Sequence, residues 1–371
     1  MIVLKALQAE LLAAVQRVLG VVERRHTLPI LANVLIRKTQ ASIELTTNDL
    51  ELQLRTRAEL GGDKADFATT VNARKLAEIL RAMPADQIVT LSASKNKLSL
   101  QGGQSRFTLQ TLPAEDFPLV QEATAYAPMF ELPQAVLKAL IEQVEFAMAV
   151  QDIRYFLNGV LFIADGTSLT LVATDGNRLA LARATVEHAL PRQEVILPRK
   201  TVLELQRLLR DSTAPDQAVQ IRFAAPQATF AFNGIEFITK LVEGRFPDYK
   251  RVIPTGNRNT LTLGRAPLLA GLQRAAILTS EKFRGVRLHL APGALRIAAS
   301  NAQQEQADED IEVDYGGEPI EIGFNITYLV DVLAHANDDL VKLELQDAHS
   351  SVLFSFPERA GFQYVVSPMR L

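Results

Sequence analysis

Apolar residues recur along this chain at two periods, and each period predicts an element type. Spacing of i, i+3, i+4, i+7 marks six amphipathic helices, each with one buried face. Their stripes are Leu11, Leu12, Val15, Val18, Leu19 and Val22; then Leu76, Ile79, Leu80 and Met83; then Leu137, Leu140, Ile141, Val144 and Met148. The later three are Val202, Leu205 and Leu209; Leu269, Leu272 and Ala276; and Leu329, Val332, Leu333 and Ala336. Between them lie period-two runs at 42–46 (SIELT), 168–172 (SLTLV) and 341–345 (VKLEL), which predict half-buried antiparallel strands. Helices packed on antiparallel sheets make an α+β fold.

The pattern repeats. LANVLIR at 31–37 leads to Asn48-Asp49, LNGVLFI at 157–163 to Thr174-Asp175, and FRGVRLH at 283–289 to Ser300-Asn301. Asp49, Asp175 and Asn301 stand at even steps of 126 residues. Asn72, Pro198 and Asn325 open helical stripes at nearly the same step. Asn is a favoured N-cap and Pro a favoured first-turn residue. A fixed period of this kind is the signature of duplicated modules. It predicts three domains, 1–127, 128–255 and 256–371, each with two helices, joined near Ala125–Pro128 and Pro254–Asn257.

Composition narrows the function. At 371 residues the chain is too long for one compact core. It has no cysteine, which excludes disulfides, thiolate metal sites and a cysteine nucleophile, and fits a reducing cytoplasm. No apolar run reaches membrane-spanning length, and the first residues do not read as a signal peptide. The net charge of −3 does not announce nucleic-acid binding, so that function requires basic residues gathered on one surface. Helical projection does gather them. Arg17 and Arg24, Arg74 and Arg81, Lys200 (beside Arg199) and Arg207, and Arg274 all lie opposite apolar stripes. On one helix this is an ordinary solvated face; repeated over four, it describes a surface that tracks phosphates without reading bases. The third and sixth helices carry Glu142, Glu145, Asp331 and His335 there instead.

No Gly-rich phosphate loop, Walker lysine, GxSxG or HExxH occurs, and the five histidines are scattered. Catalytic residues, cofactor and metal are therefore all expected to be none. Asp308-Glu309-Asp310 reads as a solvated acidic loop. Two other readings remain open: a hydrolase using Asp49, Asp175 and Arg178, and a monomeric repeat scaffold that binds only proteins. Recurrence of the turn Asp in every module favours turn chemistry over catalysis.

Four stretches carry a family resemblance: ATDGNRLA at 173–180, EGRFPDYKRV at 243–252, EKFRG at 281–285 and SPMRL at 367–371. With the threefold repeat, they make the whole chain resemble the bacterial sliding clamps, the beta subunits of DNA polymerase III. The resemblance implies a non-catalytic head-to-tail homodimer whose six domains form a ring, with helices inside and sheets outside. Double-stranded DNA passes through, bound without sequence preference. The implied protein partners are the replicative DNA polymerase alpha subunit, the clamp loader, translesion polymerases, and mismatch repair and ligase proteins, all docking through short peptides.

The resemblance also assigns residues. DNA contact falls on Arg25, Arg74, Gln151, Tyr155 and Phe156, the last often a tyrosine in the family, with Lys200 added from the helix projection and Arg199 beside it. The peptide pocket falls on Leu157, Thr174, Gly176, Asn177, Arg178, Leu179, Pro247, Arg251, Val252 and Ser351, and on Val365, Val366, Ser367, Pro368, Met369, Arg370 and Leu371. Asn177 often is histidine and Ser367 often methionine in the family, which makes one rim more polar here. Arg178 and Arg251 are expected to cover the cleft with their stems and keep their heads in water. The dimer seam is expected to set Phe107 and Leu109 against Ile277 and Leu278, with Lys75 and Arg106 facing Glu305 and Asp308. Gln104 and Gln306 stand where the resemblance implies a charged pair.

Overall fold

The computed structural model describes residues 2–23, 27–40, 42–60, 65–211, 213–214, 217–280 and 283–370. They form two compact units, Met1–Ala135 with Arg207–Leu241, and Val136–Gln206 with Val242–Leu371. Six α-helices lie among the described residues: α1 (Gln8–Leu19), α2 (Ala73–Arg81), α3 (Gln134–Val144), α4 (Arg199–Leu208), α5 (Arg265–Ala276) and α6 (Ile326–Ala334). Their buried faces follow the predicted stripes, with one exception. In α5 the core side takes Leu268, Gly271, Leu272 and Ala275, so the stripe is rotated by one residue from Leu269 and Ala276. The Ala-Gly-rich sequence of α5 leaves its inward face ambiguous by pattern alone. No described helix is long and apolar enough to cross a membrane.

Helix starts follow the capping rule at two of the three predicted positions. The Asn72 side chain accepts from Lys75 N, and the Asn325 side chain from Thr327 N. Pro198 holds the same place, last in the strand Arg178–Pro198 and directly before α4, so it precedes the first helical turn and does not lie within it. The recurrent turn residues perform one task in all three modules. Asp49 Oδ1 accepts from Glu51 N and Leu52 N, Asp175 Oδ1 from Asn177 N and Arg178 N, and Asn301 Oδ1 from Gln303 N and Glu305 N. Each is an Asx turn that closes a hairpin. The hydrolase reading loses its carboxylates to this structural work.

Strands cross the module boundaries. The first unit holds a twelve-stranded sheet in which Leu52–Glu59 pairs with Ile235–Lys240, Thr56 opposite Ile235. In the second unit, Arg178–Pro198 pairs with Phe362–Val366 inside a six-stranded sheet, Ala182 opposite Phe362. These two junctions are equivalent, one module apart. A four-stranded sheet completes the second unit, with Gln306–Glu312 at one edge and Ile320–Asn325 at the other. That edge strand carries Asp308, Glu309 and Asp310, which were expected in a loop. Glu309 is held by Arg274 through two bonds of 2.7 and 2.6 Å, and Asp310 by Arg296 at 2.8 Å.

Candidate functional site

The site begins at a hairpin. Strands Gly159–Thr174 and Arg178–Pro198 are joined through Asp175-Gly176-Asn177. Gly176 has φ +94°, where an L side chain is strained, and an added Cβ would stand 3.1 Å from the Arg154 guanidinium. Thr174 Oγ1 donates to Arg178 O at 2.6 Å and accepts from Gly176 N at 3.1 Å. The turn is thereby fixed from inside. Beside it Phe362–Val366 pairs so that Val365 lies opposite Leu179, and Ser367 N donates to Asn177 O at 2.9 Å.

Alternation along these strands puts Leu179 and Val365 on one face, with Leu161, Val172, Leu181, Ile196, Phe246 and Leu353 in one buried cluster. Where that cluster reaches the surface it opens into a cavity of about 260 Å³. Ten of the residues assigned to the pocket line it: Leu157, Thr174, Gly176, Asn177, Arg178, Leu179, Pro247, Val252, Val365 and Ser367. Arg154, Phe156 and Tyr249 complete the wall. Their signals were present in the sequence, since Tyr249 follows Pro247 by two residues and Arg154 precedes Leu157 by three.

Other assigned residues go elsewhere. Val366 points to the opposite face of its strand and is fully buried. Arg251, Ser351 and Pro368 stay outside the lining, and the Arg251 head is solvated beside Asp248 at 2.9 Å. Met369 and Arg370 border a different groove of about 580 Å³, with Phe283, Arg287, His289 and Asp308. Met369 N donates to Gly323 O at 2.9 Å, which carries the tail onto that side. Leu371, and the DNA candidate Arg25 with its neighbour Arg24, lie outside the described residues.

Arg178 departs most from expectation. Its side chain is only 10% exposed, and its head is buried. Nε donates to Asp175 Oδ2 at 3.1 Å, Nη1 to Asp331 Oδ2 at 2.5 Å and Nη2 to Phe146 O at 2.6 Å. The guanidinium also lies 4.5 Å from the Tyr328 ring centre. Beside it, burial pushes the Tyr364 phenol well above its usual range, an effect Arg178 partly offsets, and its hydroxyl donates to Tyr328 O at 2.9 Å. Burial likewise raises the Glu145 carboxyl, against the opposing pull of His335 and Arg199.

The DNA candidates fall into two groups. Gln151 and Tyr155 stand on an exposed loop with Val150 and Ile153, the last 95% exposed. The loop is braced from within: Asp152 accepts from the Arg154 backbone and guanidinium at 2.8–3.0 Å, and Asn158 returns two bonds to Asp152. Arg154 holds the Asp152 carboxyl down at about 2. Phe156 turns inward to the cavity wall. The helix arginines are more committed than projection implies. Arg74 donates to Val22 O, Arg207 to Gln16 O and Arg17 O, and Arg274 to Glu309. A cation whose donors already satisfy backbone carbonyls or a carboxylate retains less freedom to meet phosphate. Arg199 and Lys200 are half-buried at the start of α4.

The sequence also matches known proteins along its length. Models of the N-terminal, central and C-terminal domains of the DNA polymerase III beta subunit match residues 4–121, 131–248 and 250–370. A beta sliding clamp of Vibrio cholerae is 42% identical over 364 residues, 98% of both chains. That of Escherichia coli K12 is 41% identical over 361 residues, 97% of this chain and 98% of its own. A crystal structure of the Pseudomonas aeruginosa beta subunit superposes with a TM-score of 0.93 at 42% identity, covering 99% of this chain and all of that one. Another from the same organism, bound to griselimycin, gives 0.94 at 41% identity with full coverage of both. Built from three clamp-type domains and matched over its whole length, this chain belongs to the DNA polymerase III beta subunit family, the non-catalytic sliding clamps of bacterial replication.

Proposed function

We propose that this chain closes with a second copy into a ring around duplex DNA, and holds polymerases there through its peptide pocket. The carrying observation is an unfinished pattern of edge pairing. Two equivalent junctions exist within the chain, Leu52–Glu59 with Ile235–Lys240 and Arg178–Pro198 with Phe362–Val366. One module further on, among the described residues, Gln306–Glu312 pairs only with Ala294–Ser300, and most of Ser105–Leu112 pairs only with Lys97–Gly102. A free strand edge is a template for another chain. The same register carried forward sets Asp308 opposite Ser105 and Gln306 opposite Phe107, which brings Arg106 among the acids Glu305 and Asp308. Apolar residues flank these edges, with Phe107 38% and Ile277 78% exposed, Leu109 half-buried and Leu278 beside Ile277. Lys75 lies near Leu109 along one groove. A head-to-tail pair uses each of these two edges twice and leaves neither of them open, which favours a closed dimer over a filament.

The three modules are read as 1–127, 128–255 and 256–371. Gln151, Tyr155, Arg199, Lys200 and Arg74 are read as sequence-blind DNA contacts, in the cytoplasm where the DNA is. The 260 Å³ cavity is read as the dock for extended peptides of the polymerase alpha subunit, clamp loader, translesion polymerases, mismatch repair and ligase proteins. Support for a peptide-like occupant comes from its concave apolar floor with few polar groups, and from the griselimycin-bound Pseudomonas clamp.

The test is topological. Protein loaded on circular DNA by a clamp loader should stay through gel filtration and leave when the circle is cut. Ile277→Asp with Leu278→Asp places charge in the seam at a cost of several kcal/mol, so that variant should sediment as a folded monomer and never be retained. Retention that survives linearisation, or an unchanged dimer in the double variant, overturns the reading.

A further inference from the structure

Arg178 links the cavity to a part of the molecule that does not line it. Its main chain belongs to the wall: Leu179 follows it, and its carbonyl holds Thr174 Oγ1. Its guanidinium turns away and meets Asp331 Oδ2 at 2.5 Å. Asp331 sits on α6, within the segment matched by the C-terminal domain model, whereas Arg178 lies in the central one. The same helix receives Tyr364, the residue before Val365 in the wall, through the bond to Tyr328 O. His335 closes the junction from the far side, its ring stacked 4.5 Å from Phe146, whose carbonyl takes the third arm of Arg178.

We propose that Asp331 is a positioning residue for the peptide pocket, and that pocket occupancy and the docking of α6 against the central domain are one coupled equilibrium. This rests on reading the cavity as the peptide dock. A buried guanidinium that loses its carboxylate is strongly destabilised where it stands. Without Asp331, Arg178 retains Asp175 and the Phe146 carbonyl but loses its shortest charged contact, and it gains by swinging toward water. Its shortest path carries the 174–178 turn with it, so Gly176, Asn177 and Leu179 shift. Coupling is reciprocal: a peptide that holds the turn must also hold α6.

The experiment uses the full-length dimer and a short fluorescein-labelled peptide carrying a glutamine, a leucine and a phenylalanine. Four proteins are compared by anisotropy: the parent, Asp331→Asn, Asp331→Ala and Val252→Asp. Val252 lines the cavity and is 45% exposed, so its variant reports on the dock without disturbing the core. The expected result is weaker binding by about five- to tenfold for Asp331→Asn, within the range of ordinary site coupling, and at least as much for Asp331→Ala. Hydrogen exchange supplies a readout that a simple strut would not move. Peptide should slow amide exchange across Ile326–Ala334 in the parent and leave it unchanged in Asp331→Asn. If Val252→Asp weakens binding while both Asp331 variants bind like the parent, the coupling is wrong and the dock stands. Should Val252→Asp also bind like the parent, the dock is wrong and the coupling falls with it. If Asp331→Ala does not fold, Arg178→Lys keeps the charge, loses the fork and must show the same loss.

Discussion

Two hollows open on the second unit and share the end of one strand, yet what stands behind their walls differs. The smaller, about 260 Å³, is floored by Leu157, Leu179 and Val365, all nearly inaccessible, and its turn is tied to the buried Arg178 cluster. The larger, about 580 Å³, has Phe283 and Met369 at its border, both exposed, with Arg287 and Arg370 above a plain sheet face. Size favours the second and construction the first. A binding site needs walls held in place before the ligand arrives, because ordering side chains on binding costs affinity. The comparison teaches that a fixed turn and a buried charge network mark a pocket better than its volume does.

The sharpest way to break that comparison is to remove a wall. Leu179→Ala should lower unfolding stability by about 2–5 kcal/mol, as large-to-small core changes do, and weaken labelled-peptide binding by roughly tenfold or more, since an anchor contact of this kind contributes ~1.5–3 kcal/mol. Urea unfolding and anisotropy measure both; unchanged affinity in a folded variant would remove Leu179 from the site.

A smaller effect tests the network behind the wall. Glu145 faces His335, Arg199, Arg178 and Asp331, and its pKa is raised by burial. A carboxyl whose folded pKa exceeds its unfolded value, near 4.5, stabilises the fold below that value and loses the contribution as pH rises through the folded pKa. Glu145→Gln imitates the protonated form. It should therefore melt above the parent at about pH 8, with the gap closing towards about pH 4. The gain stays below about 1 kcal/mol, because solvent screens a half-buried carboxylate. A variant that melts below the parent at high pH would mean that the attraction of Arg199 and Arg178 for the carboxylate outweighs its desolvation.

The smallest effect belongs to the open groove. Phe283→Ala and Met369→Ala remove exposed side chains, so each should change stability by no more than about 0.5 kcal/mol and leave the affinity of the short peptide within about twofold. A loss matching that of Leu179→Ala would make the groove part of the dock and reverse the comparison.

Much of this was legible in the chain because its causes are local. The spacing of Asp49, Asp175 and Asn301 marks them as turn residues, and each makes the same Asx bonds. Asn72 and Asn325 stand where caps are expected and accept the amide hydrogens of their first helical turns. Five of six helical stripes bury the face that their period predicts, because side chains three and four apart share a face in any helix. The misplaced residues share a different cause. Arg274 projects outward from α5 as expected, but a strand more than thirty residues away supplies Glu309 to hold it. Met369 and Val366 stand near Val365 in sequence, yet strand alternation and the bond to Gly323 O turn them from the cavity.

What the sequence determined by itself was the module, its threefold repetition and the turns and caps that bound each element, because these depend on residues within a few positions of one another. What only the tertiary structure decided was the fate of the charges. The habit of long cations to keep their heads in water predicts a solvated Arg178, and the fold buries it against Asp331, 153 residues away. Helical and strand periods state which way a side chain leaves its own backbone. They hold no information about which distant group waits there, and in a low-dielectric junction that partner decides whether the charge is free to act or is spent holding the wall.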